Sequence, residues 1–222
     1  MKLNTNNNVY IIAYSCVMVV IVAFLLAFVS STLKPRQDVN VALDKKKQIL
    51  AALNIRDLND QESEAKYAEV VLKDEAFKLN SADYKAGNYK IYECQVNGEK
   101  KYVVPVYGMG LWGAIWGYVA VNEDGNTVYG AYFNHDSETA GLGAEIKDSK
   151  AWQDKFIGKK IYGADGNPAL KVVKSSDLKN PENEVDGITG ATLTSNGVSD
   201  MLQDGFKIAR SEERRVGKEC RS

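Results

Sequence analysis

The chain begins with a long run of apolar residues. Residues 9–29 read VYIIAYSCVMVVIVAFLLAFV, and no charged residue lies between Lys2 and Lys34. About 20 apolar residues, each rising about 1.5 Å, cover roughly 30 Å of hydrocarbon. A cleaved signal peptide and a buried core helix are the alternatives, but the run exceeds the roughly 7–15 apolar residues of a signal peptide. We therefore predict a transmembrane helix over residues 9–33, preceded by a tail over residues 1–8.

The pattern beyond this run is typical of a globular domain. Pro35 is expected to end the first helix, because proline removes a helical hydrogen bond. Asp38 and Asn40 can cap a new helix over about 41–53. Apolar residues at near-helical spacing predict a second helix over about 60–79.

Alternating apolar and polar positions then predict a β-sheet. Residues 89–96 and 101–107 alternate on either side of an Asn97-Gly98 turn, which is a hairpin signature. The mostly apolar stretch 111–121 predicts a strand that is buried on both faces. The remaining predicted elements are two strands and a helix, over 127–133, 169–173 and about 196–208. Antiparallel strands flanked by helices predict an α+β fold.

Composition restricts the chemistry. The formal net charge of −1 provides no basic field for nucleic acid, so we exclude nucleic acid as a partner. The chain has one histidine, His135, and three cysteines without CxxC spacing, so we predict no metal or iron–sulfur site. A redox role would therefore need an organic cofactor. His135 has no serine or cysteine partner at a motif spacing, so we predict no catalytic triad and expect a structural histidine.

A segment rich in glycine and hydroxyl groups precedes the last predicted helix. Residues 186–195 read DGITGATLTS. Gly187 and Gly190 permit backbone conformations that other residues disfavour, and the amides of a helix N-terminus favour an anion. The segment lacks both the Walker lysine pattern and GxGxxG. A phosphate site and an ordinary turn that caps a helix both remain open.

A second candidate segment, residues 135–143, reads HDSETAGLG. It follows a predicted strand, which is where binding loops often lie. The glycines on either side of Leu142 could let the backbone approach a ring. A binding loop and a plain surface loop both fit this pattern.

Several segments together resemble one protein family. They are LDKKKQIL at 43–50, VPV at 104–106, GLW at 110–112, GYVA at 117–120, and the stretches 135–143 and 185–197. With the early apolar run, they look like the FMN-binding domain of the C subunit of the sodium-translocating NADH:quinone reductase. The family's flavinylation pattern is D-x-(S/T)-G-A-(T/S)-x-T, and the C subunits carry one extra residue after the aspartate, as this chain does after Asp186. The last threonine of the pattern accepts the flavin in the family, and it corresponds to Thr194 here.

The resemblance implies that FMN is joined to the Thr194 hydroxyl by a phosphoester. A separate flavin transferase that uses FAD as donor would make this bond. The resemblance further implies two groups of cofactor-binding residues. Asp186, Gly190, Ala191 and Thr192 would shape the attachment site, while Glu138, Thr139, Gly141 and Leu142 would line the isoalloxazine, with Trp112 as a further candidate. The chain departs from the family at Ala140, where proline is usual, and losing that fixed φ is expected to loosen the loop.

The resemblance also implies partners and a location. Electrons would pass from NADH toward quinone through this flavin, coupled to sodium export, with the NADH site and the sodium path in other membrane subunits. This chain alone would hold no complete active site. Residues 34–209 would form an extracytoplasmic domain anchored in the cell inner membrane by a single span. The lysines and arginines near the span would by themselves favour a cytoplasmic domain, but that rule weakens when a large domain follows.

Two other functions remain open on sequence grounds. The G subunit of an Rnf-type ferredoxin:NAD complex resembles the same architecture, and a flavin-free membrane-anchored binding or assembly module is a reading from another class. A further expectation concerns residues 210–222, RSEERRVGKECRS, which resemble the translation of a sequencing adapter. We expect them to be non-native, with the native chain continuing beyond about Ala209.

Overall fold

The computed structural model describes residues 8–77 and 89–219. The chain divides into two compact units, residues 1–44 and residues 45–222.

The first unit contains most of helix α1 (Asn8–Ala52), which is long and apolar enough to cross a membrane by length and composition. The predicted helix over residues 9–33 is confirmed, but its predicted end is wrong because Pro35 lies inside α1. The separate helix expected over 41–53 is therefore the last part of α1. A proline disfavours a helix interior by about 3 kcal/mol, but its immediate neighbours Leu33, Lys34, Arg36 and Gln37 are good helix formers, and the helix continues through it.

In the second unit, helix α2 (Asp60–Val70) begins with a capping box. The Asn59 side chain accepts a hydrogen bond from the Glu62 amide, and the Glu62 carboxylate accepts one from the Asn59 amide. The helix predicted over 60–79 is too long, since residues 71–77 form a strand. The β-branched residues Val70 and Val71 favour an extended conformation, and pairing with the next strand stabilises it.

Five strands form one antiparallel sheet in chain order. They are β1 (Val71–Phe77), β2 (Tyr89–Val96), β3 (Glu99–Met109), β4 (Ala114–Asn122) and β5 (Val128–His135). The predicted hairpin is confirmed: Asn97 and Gly98, both at positive φ, connect β2 to β3.

Both faces of β4 are covered, which confirms the prediction for this strand. Ile115 and Val119 belong to a core cluster that also contains Val198 and Met201, from the last helix of the chain. Tyr118 and Ala120 point the other way, into a cluster with Ile49 of α1. The strand begins three residues later than predicted, at Ala114.

The remaining elements follow β5. They are the short helices α3 (Glu145–Asp148) and α4 (Lys150–Asp154), the parallel pair β6 (Lys171–Val173) and β7 (Glu184–Asp186), and α5 (Thr192–Glu219). Helix α5 begins four residues before the predicted start and continues past the predicted end at 208. The α+β fold is confirmed. The expectation that residues 210–222 are non-native stays a prediction, and residues 220–222 lie outside the described part of the chain.

Helix α5 packs closely on β3 through glycines. A Cβ at Gly197 would lie 2.3 Å from the Met109 carbonyl oxygen, and one at Gly205 would lie 2.6 Å from Val106 Cγ1. This close contact fixes the first turn of α5 over the end of β3, where the β3–β4 loop begins.

Candidate functional site

Thr194 lies in the first turn of α5, and its hydroxyl is buried. The side chain is 1% exposed, and Oγ1 donates a hydrogen bond to Glu138 Oε2 over 2.6 Å. Glu138 is itself only 7% exposed. The structure thus joins the two segments that the sequence marked separately, although 56 residues separate the two side chains along the chain.

The Glu138 carboxylate has a second partner in a third segment. Its Oε1 accepts a hydrogen bond from the Trp112 amide over 2.9 Å. The Glu138 amide donates to His135 Nδ1 over 3.1 Å, so His135 orients the loop, as expected for a structural histidine. The two hydrogen-bond donors offset much of the free-energy cost of burying the carboxylate.

Two glycines make room for this carboxylate. A Cβ at Gly110 would lie 2.4 Å from Glu138 Oε1. One at Gly143 would lie 2.3 Å from Oε2 and 2.7 Å from Thr194 Oγ1. Neither distance is compatible with a side chain, so glycine at both positions is a condition for the Glu138–Thr194 contact.

The loop before α5 takes the shape that its glycines permit. Gly190 has a φ of +80°, and a Cβ there would lie 2.9 Å from Leu142 Cδ2. Ser195 holds the loop on both sides: its amide donates to the Ala191 carbonyl over 2.9 Å, and its Oγ accepts from the Ile188 amide over 3.3 Å. The preceding amides at the start of α5 lack helical partners by geometry and favour an anion.

Asp186 has partners away from Thr194. Its carboxylate accepts hydrogen bonds from the Ser175 hydroxyl and from Lys155 Nζ, and its carbonyl accepts one from Trp152 Nε1 over 2.8 Å. The hydrogen bond from Ser175, together with Lys155, holds the pKa of Asp186 below its ordinary value despite some desolvation. Asp186 therefore fixes the base of the loop, at the end of β7.

An open groove of about 280 Å³ lies beside the same loop. Its walls are residues 173–176, 187–190, 192, 195 and 196. Thr192 and Ser195 are among the residues that line it, while the Thr194 hydroxyl points to Glu138.

Large apolar side chains are exposed in the three segments that meet at Glu138 and Thr194. Trp112 is 68% exposed, Leu193 is 60% exposed and Leu142 is 42% exposed. Exposed apolar groups in this number are a usual sign of a binding surface.

The site therefore contains most of the residues predicted from sequence. Glu138, Thr194 and the Trp112 backbone are in direct contact, and Leu142 touches Gly190. Thr139 and Gly141 lie in the loop that carries Glu138. Ala191 directly precedes α5, Thr192 is the first residue of that helix, and Asp186 is the last residue of β7. The prediction missed Gly110, Gly143, Ser175 and Lys155. Gly110 and Gly143 lie within segments that resemble the family, but their contact with the Glu138 carboxylate arises only on folding. Among residues 8–77 and 89–219, no three His, Cys, Asp or Glu side chains gather as metal ligands would.

Residues 110–207 match the family model described as FMN-binding domain. Curated relatives carry the name of the C subunit of Na(+)-translocating NADH-quinone reductase. The one from Haemophilus ducreyi is 34% identical over 219 residues, covering 84% of this chain and 84% of the relative. The one from Vibrio anguillarum is 35% identical over 198 residues, covering 75% of this chain and 77% of the relative. The one from Vibrio alginolyticus is 48% identical over 99 residues, a segment that is 45% of this chain but only 38% of that protein.

Solved structures agree with these relatives. The crystal structure of the C subunit of Na(+)-translocating NADH-quinone reductase from Parabacteroides distasonis superimposes with a TM-score of 0.70 and 34% identity, covering 78% of this chain and 92% of that one. NqrC from Shewanella oneidensis shares the fold, with a TM-score of 0.61 and 24% identity over 73% of this chain and 90% of that one.

Proposed function

The chain belongs to the family formed by the C subunit of the Na(+)-translocating NADH-quinone reductase, and from this premise we propose that it carries FMN covalently on Thr194. The phosphoester would join the FMN phosphate to Thr194 Oγ1. The protein would then pass electrons from NADH toward quinone within a complex that exports sodium. When bound, the flavin supplies the redox chemistry, and the protein supplies its position and surroundings.

The observation that carries the proposal is the placement of the Thr194 hydroxyl. It lies in the first turn of a long helix, beside a loop with a glycine at positive φ. It meets the Glu138 carboxylate in a space that the missing side chains of Gly110 and Gly143 leave open. Amides at a helix N-terminus stabilise a phosphate by hydrogen bonds and by the helix dipole, typically by about 0.3–1 kcal/mol at exposed sites. An ordinary helix-capping turn has no need of the glycine-lined space.

The surroundings of Thr194 suit a flat aromatic ring. Binding sites for molecules of FMN's size usually enclose roughly 300–1,000 Å³. The groove of about 280 Å³ has room for part of the cofactor, and its hydroxyls suit the ribityl phosphate. The isoalloxazine would lie against the exposed apolar side chains of Trp112, Leu142 and Leu193, which gain burial from the contact.

Several partners follow from this role. A flavin transferase using FAD would attach the cofactor, and other membrane subunits would supply the NADH site and the sodium path. The apolar part of α1 would anchor the chain in the cell inner membrane, with the FMN-binding domain on the periplasmic side. The length and hydropathy of that helix support the anchor.

Fluorescence in a denaturing gel tests the attachment. The chain is produced with and without a flavin transferase, alongside Thr194→Val and Thr194→Ser. Valine keeps the shape of threonine but lacks the hydroxyl, whereas serine keeps a hydroxyl. We expect a fluorescent band for the wild type and a weaker one for Thr194→Ser, but none for Thr194→Val. A band of undiminished intensity in Thr194→Val would refute attachment at this residue.

A further inference from the structure

The hydroxyl that would accept FMN is closed in this structure. Thr194 is 1% exposed, and its Oγ1 is occupied as the donor of a short hydrogen bond to Glu138. A flavin transferase that joins a phosphate to Oγ1 needs an open path to this oxygen. The side chains that cover Thr194 must therefore move away first.

Glu138 is the side chain that stands in the way. Its Oε2, 2.6 Å from Thr194 Oγ1, fills the space that a phosphorus bonded to that oxygen would need for its other oxygens. The positions of Gly110 and Gly143 show that the space around the carboxylate is narrow. A phosphodiester also carries a negative charge, which a neighbouring buried carboxylate would repel. The Glu138 carboxylate and a phosphoester on Thr194 therefore compete for the same space next to Oγ1.

Apart from the two hydrogen bonds of the Glu138 carboxylate, few buried side chains hold this loop in place. Residues 136, 137 and 139–142 are exposed, and Glu138 is the one buried side chain among them. Moving the loop therefore uncovers little apolar surface. Gly141, with a φ of +72°, provides a position at which the backbone can adjust.

We propose that Glu138 is a latch that closes Thr194 until FMN is attached, opens to admit the flavin transferase, and stays displaced afterwards. The proposal rests on the attachment of FMN to Thr194. In that reaction Oγ1 bonds to the phosphorus of the FMN half of FAD. The bond to the AMP half breaks with its electron pair on the departing AMP, and the hydroxyl proton passes to solvent.

The rate of attachment tests the latch. The full chain without flavin is purified in detergent as wild type, Glu138→Ala, Glu138→Gln and Asp136→Asn, then mixed with limiting transferase and FAD. Asp136→Asn is the matched control, because it removes one charge from an exposed position of the same loop. Removing a hydrogen bond to a charged acceptor is expected to raise the open fraction by about 10- to 150-fold. Initial rates should therefore rise at least about tenfold in Glu138→Ala, by a smaller factor in Glu138→Gln, and little in Asp136→Asn.

The other outcomes separate the latch from the proposed function. An unchanged or slower rate in Glu138→Ala, with normal loading of the wild type, would overturn the latch alone. Loading of Thr194→Val at the wild-type rate would overturn both proposals, and so would the absence of loading in every variant.

Hydrogen exchange gives a readout that does not depend on the transferase. The Trp112 amide donates to Glu138 Oε1, so it should exchange slowly in the flavin-free wild type. It should exchange faster in Glu138→Ala and, by the same step, in the FMN-loaded wild type. The Trp152 amide, which donates to Ser149, reports whether the fold is intact and should not change. A Trp112 amide that stays equally protected after FMN attachment would contradict the displacement of Glu138.

Discussion

At the scale of single residues, Glu138 organises the site. One carboxylate oxygen accepts from the Trp112 amide and the other from the Thr194 hydroxyl, so the side chain ties the β3–β4 loop to the first turn of α5. A hydrogen bond to a charged group contributes about 1.5–3 kcal/mol, and an orphaned buried partner costs a similar amount. Small changes around Glu138 should therefore have measurable effects on stability.

Gly143→Ala should destabilise the second unit by about 1–3 kcal/mol. The added methyl would lie 2.3 Å from Glu138 Oε2 and 2.7 Å from Thr194 Oγ1, so one of the two side chains must move. Gly113→Ala is the control, because its nearest contact would be an ordinary 3.4 Å. Urea unfolding measures both variants. Equal stability of Gly143→Ala and wild type would show that the carboxylate is not confined as described.

Asp186 should make stability depend on pH. Its folded pKa is lowered, first by the hydrogen bond from Ser175 and then by Lys155, so it stabilises the fold at pH values above the unfolded pKa of about 3.9. That contribution is lost as pH falls through the lower, folded pKa. Asp186→Asn should therefore be less stable than wild type near pH 6, and the difference should shrink toward about pH 3. Thermal unfolding at both values measures it. A difference that grows on acidification would have the wrong sign.

The residues of the site were predictable only where a sequence pattern marked them. The family resemblance predicted Thr194 and Glu138 as cofactor-binding residues, but neither pattern nor spacing showed that they touch. The partners of Asp186 are a serine and a lysine from two distant segments of the chain, and only folding brings Ser175 and Lys155 to it. Such contacts depend on tertiary geometry, which periodicity along one segment does not encode.

At the scale of elements, the packing of α5 on β3 decides where Thr194 lies. Gly197 faces the Met109 carbonyl, and Gly205, two turns on, faces the Val106 side chain. Small residues let the helix approach the sheet closely, and the helix N-terminus then lies over the β3–β4 loop. The position of the Thr194 hydroxyl is thus a consequence of helix–sheet packing.

Gly197→Ala should lower the free energy of unfolding by about 2 kcal/mol and also reduce flavin attachment. Its methyl would lie 2.3 Å from a backbone oxygen, which cannot rotate away, so the first turn of α5 must shift. Gly205→Ala, far from Thr194, should lower stability but leave attachment intact. Chemical denaturation and in-gel fluorescence measure the two effects. Equal flavin attachment in the Gly197→Ala and Gly205→Ala variants would show that attachment does not depend on the position of the first turn of α5.

Elements were predictable where local pattern and tertiary context agreed. The hairpin at Asn97-Gly98 and the apolar strand β4 are such cases, because turn chemistry and burial on two faces both leave a mark in the sequence. Pro35 and the segment 71–77 are the opposite case. The first helix continues through the proline, and residues 71–77, predicted as helix, pair with β2 as a strand.

At the scale of the whole molecule, α1 contributes residues to both units. Its apolar N-terminal part is long enough to span a membrane, and its last residues, from Gln48 to Ala52, are buried. Ile49, Leu50 and the following Leu53 are at most 1% exposed. The domain therefore includes the end of the helix that would anchor it.

A truncation series should show this shared role. A chain that starts at residue 39 should fold cooperatively, because it keeps Ile49, Leu50 and Leu53. A chain that starts at residue 55 should lose about 2 kcal/mol for each of these three side chains and fail to fold stably. Circular dichroism and urea unfolding compare the two. A stable domain from residue 55 would show that the end of α1 is dispensable.

The proposed orientation can be tested on spheroplasts. With the domain on the periplasmic side, a protease added to spheroplasts should digest residues beyond the span and leave a cytosolic marker protein whole. Protection of the domain until the membrane is lysed would place it in the cytoplasm, which the lysines and arginines near the span would by themselves favour.

The most direct test of the central claim is tandem mass spectrometry of the chain purified from cells that contain a flavin transferase. Proteolysis after Lys179 and Lys207 releases a peptide that contains Thr194. We predict that this peptide carries the mass of one FMN phosphoester and that fragmentation assigns the mass to Thr194. An unmodified peptide, or a flavin assigned to another residue, would contradict the account.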